Sequence, residues 1–296
     1  MAAAAKLIKT GEIVPVDLPL NVPSIPAFHR KPFHRNLITL VPGIAYDEEY
    51  SMNPQSGTQF DGFRHFAHID SGKFYNGTTG AEIEDPKCMK CSVHHWAEHG
   101  IASRAVLIDY WTYAKENGKT YDVFSHHSIT WDELNAAAKS QGLDIRPAAQ
   151  GGDIQIGDIL MIRSGWVETY YTKSEDEIRA LGHRKSELGP GNETVFAGIA
   201  QEEKMLDWLH DCYFAAVAGD APAMEAWPTK ERKCCERQGS FQRTLTTYRV
   251  LPPFVHPCAV GYASRRDAGS GEAGRDLQKE EPVDLLLHVC SLQHTR

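Results

Sequence analysis

The sequence predicts an α/β protein in which a sheet is flanked by helices. Three observations carry that reading. Short apolar runs at 104–110, 158–163 and 213–218 have the length and composition of buried strands. Helical signals stand among them: a capping box at Thr130-Trp-Asp-Glu133, and a stretch at 201–211 with apolar residues at Met205, Leu206 and Leu209. Several of the apolar runs end in Asp or Gly beside a turn, where α/β folds usually build a site.

Taken in order, residues 1–35 are rich in proline and lack periodicity, so they read as an arm or lid laid on the body. Asn36-Leu-Ile-Thr-Leu-Val41 reads as a strand, and 57–66 reads as a second extended segment. Alternation in that segment puts Gln59, Asp61, Phe63 and His65 on one face, with Phe60, Gly62, Arg64 and Phe66 on the other. A strand follows at 104–110. Thr130 caps a helix through Ser140, and Gly142 stops it. Gly157-Asp158 is the turn into a strand through Arg163, and the helix at 201–211 leads to a strand at 213–218 and then Gly219-Asp220-Ala221-Pro222. No internal repeat is visible. The body is therefore expected at 36–232.

Composition narrows the function. A chain of 296 residues is long enough for a sizeable core, in one large domain or two small ones. A net charge of −8 gives no general electrostatic support to nucleic-acid binding. No apolar run approaches a membrane span, and the first residues are too polar for a secretory signal. The seven cysteines have no regular spacing, and Cys88-x-x-Cys91 without a second pair is a weak zinc signal. The expectation is a reduced, cytoplasmic chain with free thiols.

From about Lys233 the texture changes to polar, Gly- and Arg-rich sequence without core periodicity. The genetic code offers a reason. Arg232-Lys233-Cys234 can be encoded with GTAAGT, an intron start, and Tyr248-Arg249 with TACAG, an intron end. The segment between them spans 52 nucleotides, not a multiple of three, so retaining it would shift everything downstream out of frame. One base along, codons compatible with 261–287 permit an amphipathic helix followed by an apolar strand. The expectation is that 233–296 is an intron-retained, out-of-frame tail that does not pack on the core.

The chemistry concentrates in one motif. Asp61 offers a hard anionic oxygen suited to Mn²⁺, Zn²⁺ or Mg²⁺, or else it is a strand-end Asp bonded to backbone. Gln55 and Gln59 offer neutral carbonyl oxygens, or a hydrogen-bond pair that orients substrate or water. His65 suits acid–base work because an unperturbed imidazole titrates at about 6.5; its alternative is a core histidine bonded to backbone, and His68 is the second choice. Arg64 is either structural or an anchor for a substrate carboxylate. Asp220 is a site wall or a turn cap, and Phe60 and Trp227 are an aromatic wall for a planar substrate or core packing. His94-His95 and His126-His127 are adjacent pairs whose rings point apart, which disfavours a shared metal.

The run Gln55-Ser-Gly57-Thr58-Gln59-Phe-Asp61-Gly-Phe-Arg-His65 resembles the signature HxGTHxDxPxH of the cyclase family of metal-dependent amide hydrolases. That family includes bacterial-type kynurenine formamidase and isatin hydrolase. The Gly-Thr, the Asp and the last His match; both early His positions are Gln here, and the Pro is Phe63. HHWAEHGIASRAVLIDY from His94, GDILMIRSGW from Gly157 and FAAVAGDAPAMEAWP from Phe214 are similar to the branch that carries Gln in the motif. The resemblance spans most of 35–228. It implies a swivelling β/β/α fold with a mixed central sheet or barrel, and a site with one or two divalent metals. It assigns metal binding to Asp61 with positions 55 and 59, and acid–base work to His65. A later His and Glu complete a second metal position in the family; the shifted frame can encode them and the present frame loses them. The implied reaction is hydrolysis of an amide or lactam C–N bond, with arylformamidase activity in tryptophan catabolism as the family default. A lactone or polyketide-type cyclic substrate and a non-catalytic ligand-binding relative are the alternatives. A homodimer is the implied assembly.

Overall fold

A computed structural model describes residues 2–68, 71–184 and 194–228, together with the backbone of Leu285–Val289. The arm begins with a short helix, α1 (Ala2–Ala5), and then runs irregularly to a 3-10 turn at Ala27–His29. It is fastened to the body. The Leu18 N–H donates to Thr58 Oγ1 at 2.7 Å, the Ser24 N–H donates to the Tyr170 hydroxyl at 3.1 Å, and Leu18 is buried. Gly57 makes the approach possible, since a Cβ there would stand 2.8 Å from the Val22 carbonyl oxygen.

β1 (His34–Val41) and β2 (Ala45–Ser51) pair antiparallel as a largely exposed hairpin. The sequence revealed the first strand and missed the second, which is polar along most of its length. α2 (Gly80–Glu84) and α3 (His94–His99) precede β3 (Ile101–Asp109). β3 ends one residue earlier than expected, because the Asp109 carboxylate accepts the Thr112 N–H at 2.9 Å and caps α4 (Tyr110–Glu116). After β4 (Ser128–Ile129), α5 (Trp131–Ser140) carries the expected capping box between Thr130 and Glu133, and Gly142 follows at φ +77°.

β5 (Ile159–Arg163) is buried at every position. α6 (Trp166–Tyr170), α7 (Glu175–Gly182), β6 (Gly198–Ile199), α8 (Glu203–Asp211) and β7 (Ala216–Gly219) complete the body. β7 is shorter than the sequence suggests: Tyr213 takes a positive φ of 51°, and its N–H closes back on the His210 carbonyl, so the strand starts later.

The main sheet has the order β7-β5-β3-β8, where β8 is Leu285–Val289. β7, β5 and β3 are parallel, and β8 lies antiparallel on β3. The expectation for the tail is that it does not pack on the core; of it only Leu285–Val289 lies among the described residues, and there the backbone pairs with β3, against that expectation, while the remainder lies outside the described residues. Both faces of the sheet are covered, which is why its strands read as continuous apolar runs. Leu134 and Ala138 of α5 and Met205, Trp208 and Leu209 of α8 pack with Ile108, Leu160, Ile162 and Val217. Ala105, Ile159, Met161, Ala216 and Ala218 face the other way, with Val16 of the arm among their neighbours.

The extended reading of 57–66 is corrected. The segment is an irregular loop with a turn at Phe63-Arg64. Its conformation is set by aromatic contacts from elsewhere. Phe60 meets Trp96 edge-on at 5.1 Å, while Phe63 stacks on Tyr75 at 4.0 Å and meets Trp96 at 4.9 Å. A regular strand would send Phe60 and Phe63 to opposite faces; here both pack on the same tryptophan.

At the carboxyl ends of the parallel strands sits a buried polar network. Arg163 donates from Nη1 to Asp109 Oδ2 at 2.8 Å and to Thr112 Oγ1 at 3.0 Å, and from Nη2 to the Glu168 carboxylate. Arg163→Ala should leave the Asp109 carboxylate buried without its cation and cost about 3–5 kcal/mol. Urea unfolding should show a lower midpoint at an unchanged slope; a midpoint equal to wild type would refute this role.

Candidate active site

The motif residues converge, although no strand aligns them. A 3-10 turn at Pro54–Ser56, capped by the Asn53 side chain through the Gln55 N–H at 2.9 Å, sets Gln55 at the mouth of the loop. Asp61 is buried, at 4 % exposure, and both of its oxygens are met by carboxamides. Gln55 Nε2 donates to Oδ1 at 3.1 Å and Gln59 Nε2 donates to Oδ2 at 3.2 Å. His65 lies exposed on the rim, with its Nε2 3.9 Å from Asp61 Oδ2 and its Nδ1 2.6 Å from Gln55 Nε2.

This geometry fixes the protons. Turning the Gln55 amide over would set its carbonyl oxygen against Asp61 Oδ1, so Nε2 keeps the bridging position. One of its hydrogens then serves Asp61 and the other serves His65. Nδ1 of His65 is therefore the acceptor, and the ring proton sits on Nε2, facing the carboxylate.

The other candidate residues stand apart from this group. Arg64 donates from Nε to the Lys90 carbonyl at 2.7 Å and from Nη2 to the Cys88 carbonyl at 2.5 Å, pinning a neighbouring loop. Phe60 packs on Trp96. Asp220 is buried and accepts hydrogen bonds from the Ser164 N–H at 2.6 Å, the Ser164 hydroxyl at 2.7 Å and the Gly165 N–H at 2.9 Å. Burial pushes its carboxyl above the usual range, and those bonds pull it partly back. Trp227 meets Phe28 edge-on at 6.0 Å. His68 Nδ1 lies 2.8 Å from Ser71 Oγ, the His94 and His95 rings face Glu98, and His127 stacks on Tyr121 at 4.1 Å.

The structure adds a feature that sequence reasoning missed. A small, open cleft lies beside the motif, with Gln55 and Ser56 in its lining. Phe28 of the arm, Phe124, Trp166, Tyr170 and Phe196 form its aromatic walls. These residues come from separate stretches of chain, so no local pattern announces them. Gln55 is the link, since it lines the cleft and touches both Asp61 and His65.

The residues present suit an oxygen-preferring cation better than zinc. Among the described residues there is no group of three His, Cys, Asp or Glu that could hold a metal. The oxygen donors on the page are the Asp61 carboxylate and Gln59 Oε1, which is buried with no hydrogen-bond partner among the described residues. An orphaned carbonyl oxygen beside a buried carboxylate fits Mg²⁺ or Mn²⁺.

The proton placement is testable. Two-bond ¹H–¹⁵N spectra of the wild-type protein should show His65 as the Nε2–H tautomer, and Gln55→Leu should remove that bias. A wild-type ring protonated on Nδ1 would overturn the assignment.

Comparison with known proteins gives this geometry a context. The crystal structure of a novel cyclase aligns with a TM-score of 0.55 at 22% identity, over 77% of this chain and 71% of that one. Isatin hydrolase A from Ralstonia solanacearum aligns at 0.47 and 19% identity, over 81% and 80%. A structure described as a potential metal-dependent hydrolase with cyclase activity aligns at 0.36 and 14%, over 82% and 80%. The first of these supports the mixed α/β fold, with parallel and antiparallel pairing flanked by helices. No curated protein matches the chain in sequence. The Cyclase family model, described as "Putative cyclase", matches residues 16–226, which take in the arm's contact with Thr58, the Gln55–His65 motif and the three parallel strands; the chain belongs to the cyclase family.

Proposed function

We propose that the chain is a hydrolase of an amide or lactam C–N bond, aided by a divalent metal, with an arylformamidase-type substrate as its default. The observation that supports this best is the placing of an Asp61–Gln55–His65 cluster at the mouth of an aromatic cleft. Asp61, with Gln55 and Gln59, would hold the cation. Its contribution, when bound, is to polarise the carbonyl and acidify water.

The chain's own residues handle the proton. Nδ1 of His65 is the basic nitrogen and faces Gln55, where the cleft begins. Once water or a substrate group displaces the Gln55 amide hydrogen from Nδ1, a proton taken there creates an imidazolium whose Nε2–H faces the buried Asp61 carboxylate at 3.9 Å. The new positive charge forms next to a fixed negative one, which favours its formation. The same proton is then available to the departing amine. Gln55 orients the ring, and the aromatic walls hold the flat part of the substrate while limiting water.

A second reading has an observation of its own. Both oxygens of Asp61 already accept carboxamide hydrogens, which suits a relative that binds a ligand without turning it over. On either reading the chain works as a cytoplasmic homodimer on a small molecule. We also propose that the 52 nucleotides within the codons for 232–249 are a retained intron; sequencing the transcript tests this, and finding no alternative junction would refute it.

Metal content and hydrolysis of N-formylkynurenine should be measured on this chain and on the version without those 52 nucleotides. The hydrolase reading expects metal and turnover in the shortened form, with His65→Ala lowering kcat/KM by about 10²–10⁴-fold and leaving substrate binding intact. Ligand binding without turnover in that form would favour the second reading.

A further inference from the structure

We propose that Asn76-Gly77 is a self-modification site, at which the chain deamidates and so loosens the support of the 57–66 loop. Asn-Gly pairs are chemically prone to this reaction, because glycine leaves its nitrogen open to attack the neighbouring carboxamide. The chain has two such pairs, at 76–77 and 117–118. Both are exposed, and the structure treats them differently.

Asn76 and Gly77 form the tip of a turn, at φ +54° and +68°. The Thr78 N–H closes it on the Tyr75 carbonyl at 3.2 Å. The Asn76 carboxamide has no hydrogen-bond partner among the described residues, and the Gly77 N–H reaches no acceptor there in good geometry. A Cβ on Gly77 would meet nothing within 4 Å, so the tip has room to turn. Asn117-Gly118 is held instead. Asn117 Nδ2 donates to the Tyr113 carbonyl at 2.9 Å, the Gly118 N–H to Lys115 at 3.3 Å and the Lys119 N–H to Ala114 at 2.8 Å. These bonds finish α4 and occupy both reacting groups.

The step needs only water. The Gly77 nitrogen gives up its proton and bonds to Asn76 Cγ; the Cγ–Nδ2 bond breaks and Nδ2 leaves as ammonia. Water then opens the five-membered imide at either carbonyl. Opening at Cγ leaves aspartate and the original main chain, and Asp tolerates the positive φ. Opening at the backbone carbonyl leaves isoaspartate, with one more carbon, about 1.5 Å, in the main chain.

That carbon enters between fastened ends. Thr78 is fully buried, accepts the Phe74 N–H at 2.8 Å and leads into the capping box of α2. The slack therefore falls on Tyr75. Its carbonyl accepts the Thr78 hydroxyl at 2.8 Å and the Cys91 thiol at 3.7 Å, and its ring is the one stacked on Phe63 of the motif loop. Isoaspartate at 76 thus unseats Tyr75 from Phe63 and releases Cys91.

The full chain, aged in mildly alkaline buffer, should be peptide-mapped by mass spectrometry, with electron-transfer fragmentation to tell isoaspartate from aspartate. Deamidation at 76–77 should run about tenfold or more ahead of 117–118, whose closure must first break several hydrogen bonds. Equal rates, or loss at 117–118 first, would overturn the site. The deamidated fraction, separated by its added negative charge, should alkylate with iodoacetamide several-fold faster at Cys91 than freshly prepared Asn76→Asp, which carries the charge without the extra carbon. Equal alkylation would overturn the effect on the loop.

Discussion

A buried carboxylate needs donors, and the arrangement around Asp61 follows from that need. At 4 % exposure the group cannot rely on water, and two carboxamides supply hydrogens to its two oxygens. Those carboxamides must then hold fixed positions. Gln55 does so through a capped 3-10 turn, and Gln59 through the loop that Phe60 and Phe63 tie to Trp96. The imidazole tautomer follows from Gln55 in turn. Where the family signature has two imidazoles, this chain has two amides that can donate and accept at once, so the same backbone can present hydrogens to an anion or oxygens to a cation.

The Gly57-Thr58 pair has a mechanical role that its place in a signature does not suggest. Thr58 accepts the Leu18 N–H, and Gly57 leaves room for the Val22 carbonyl. The arm is thus seated by the same loop that carries the Asp61 cluster. Gly182 repeats the device from the other side, since a Cβ there would stand 2.2 Å from Ile25. One wall of the cleft therefore depends on two glycines in distant parts of the chain.

Legibility followed locality. α5 could be read because the Thr130–Glu133 capping box lies within four residues, and β5 because its five buried positions form an unbroken apolar run. The grouping of Gln59, Asp61 and His65 was also visible, but through an alternation the chain does not adopt. Short spacing alone kept those side chains within reach of one another. Gln55 lay outside that alternation and joins the group through its turn. β2 was hidden because an exposed ribbon needs no apolar pattern, and the cleft because its walls come from the arm, α6 and the segment before β6.

The cleft is shared property. Phe28 and Arg30 belong to the arm, while Phe124, Trp166 and Arg184 belong to the body. A ligand that touches both must favour the arm's seated position, and by reciprocity a seated arm must favour the ligand. Occupancy and fastening then become one equilibrium, so that a protease acting on residues before the β1–β2 hairpin would be sensing whether the cleft is full.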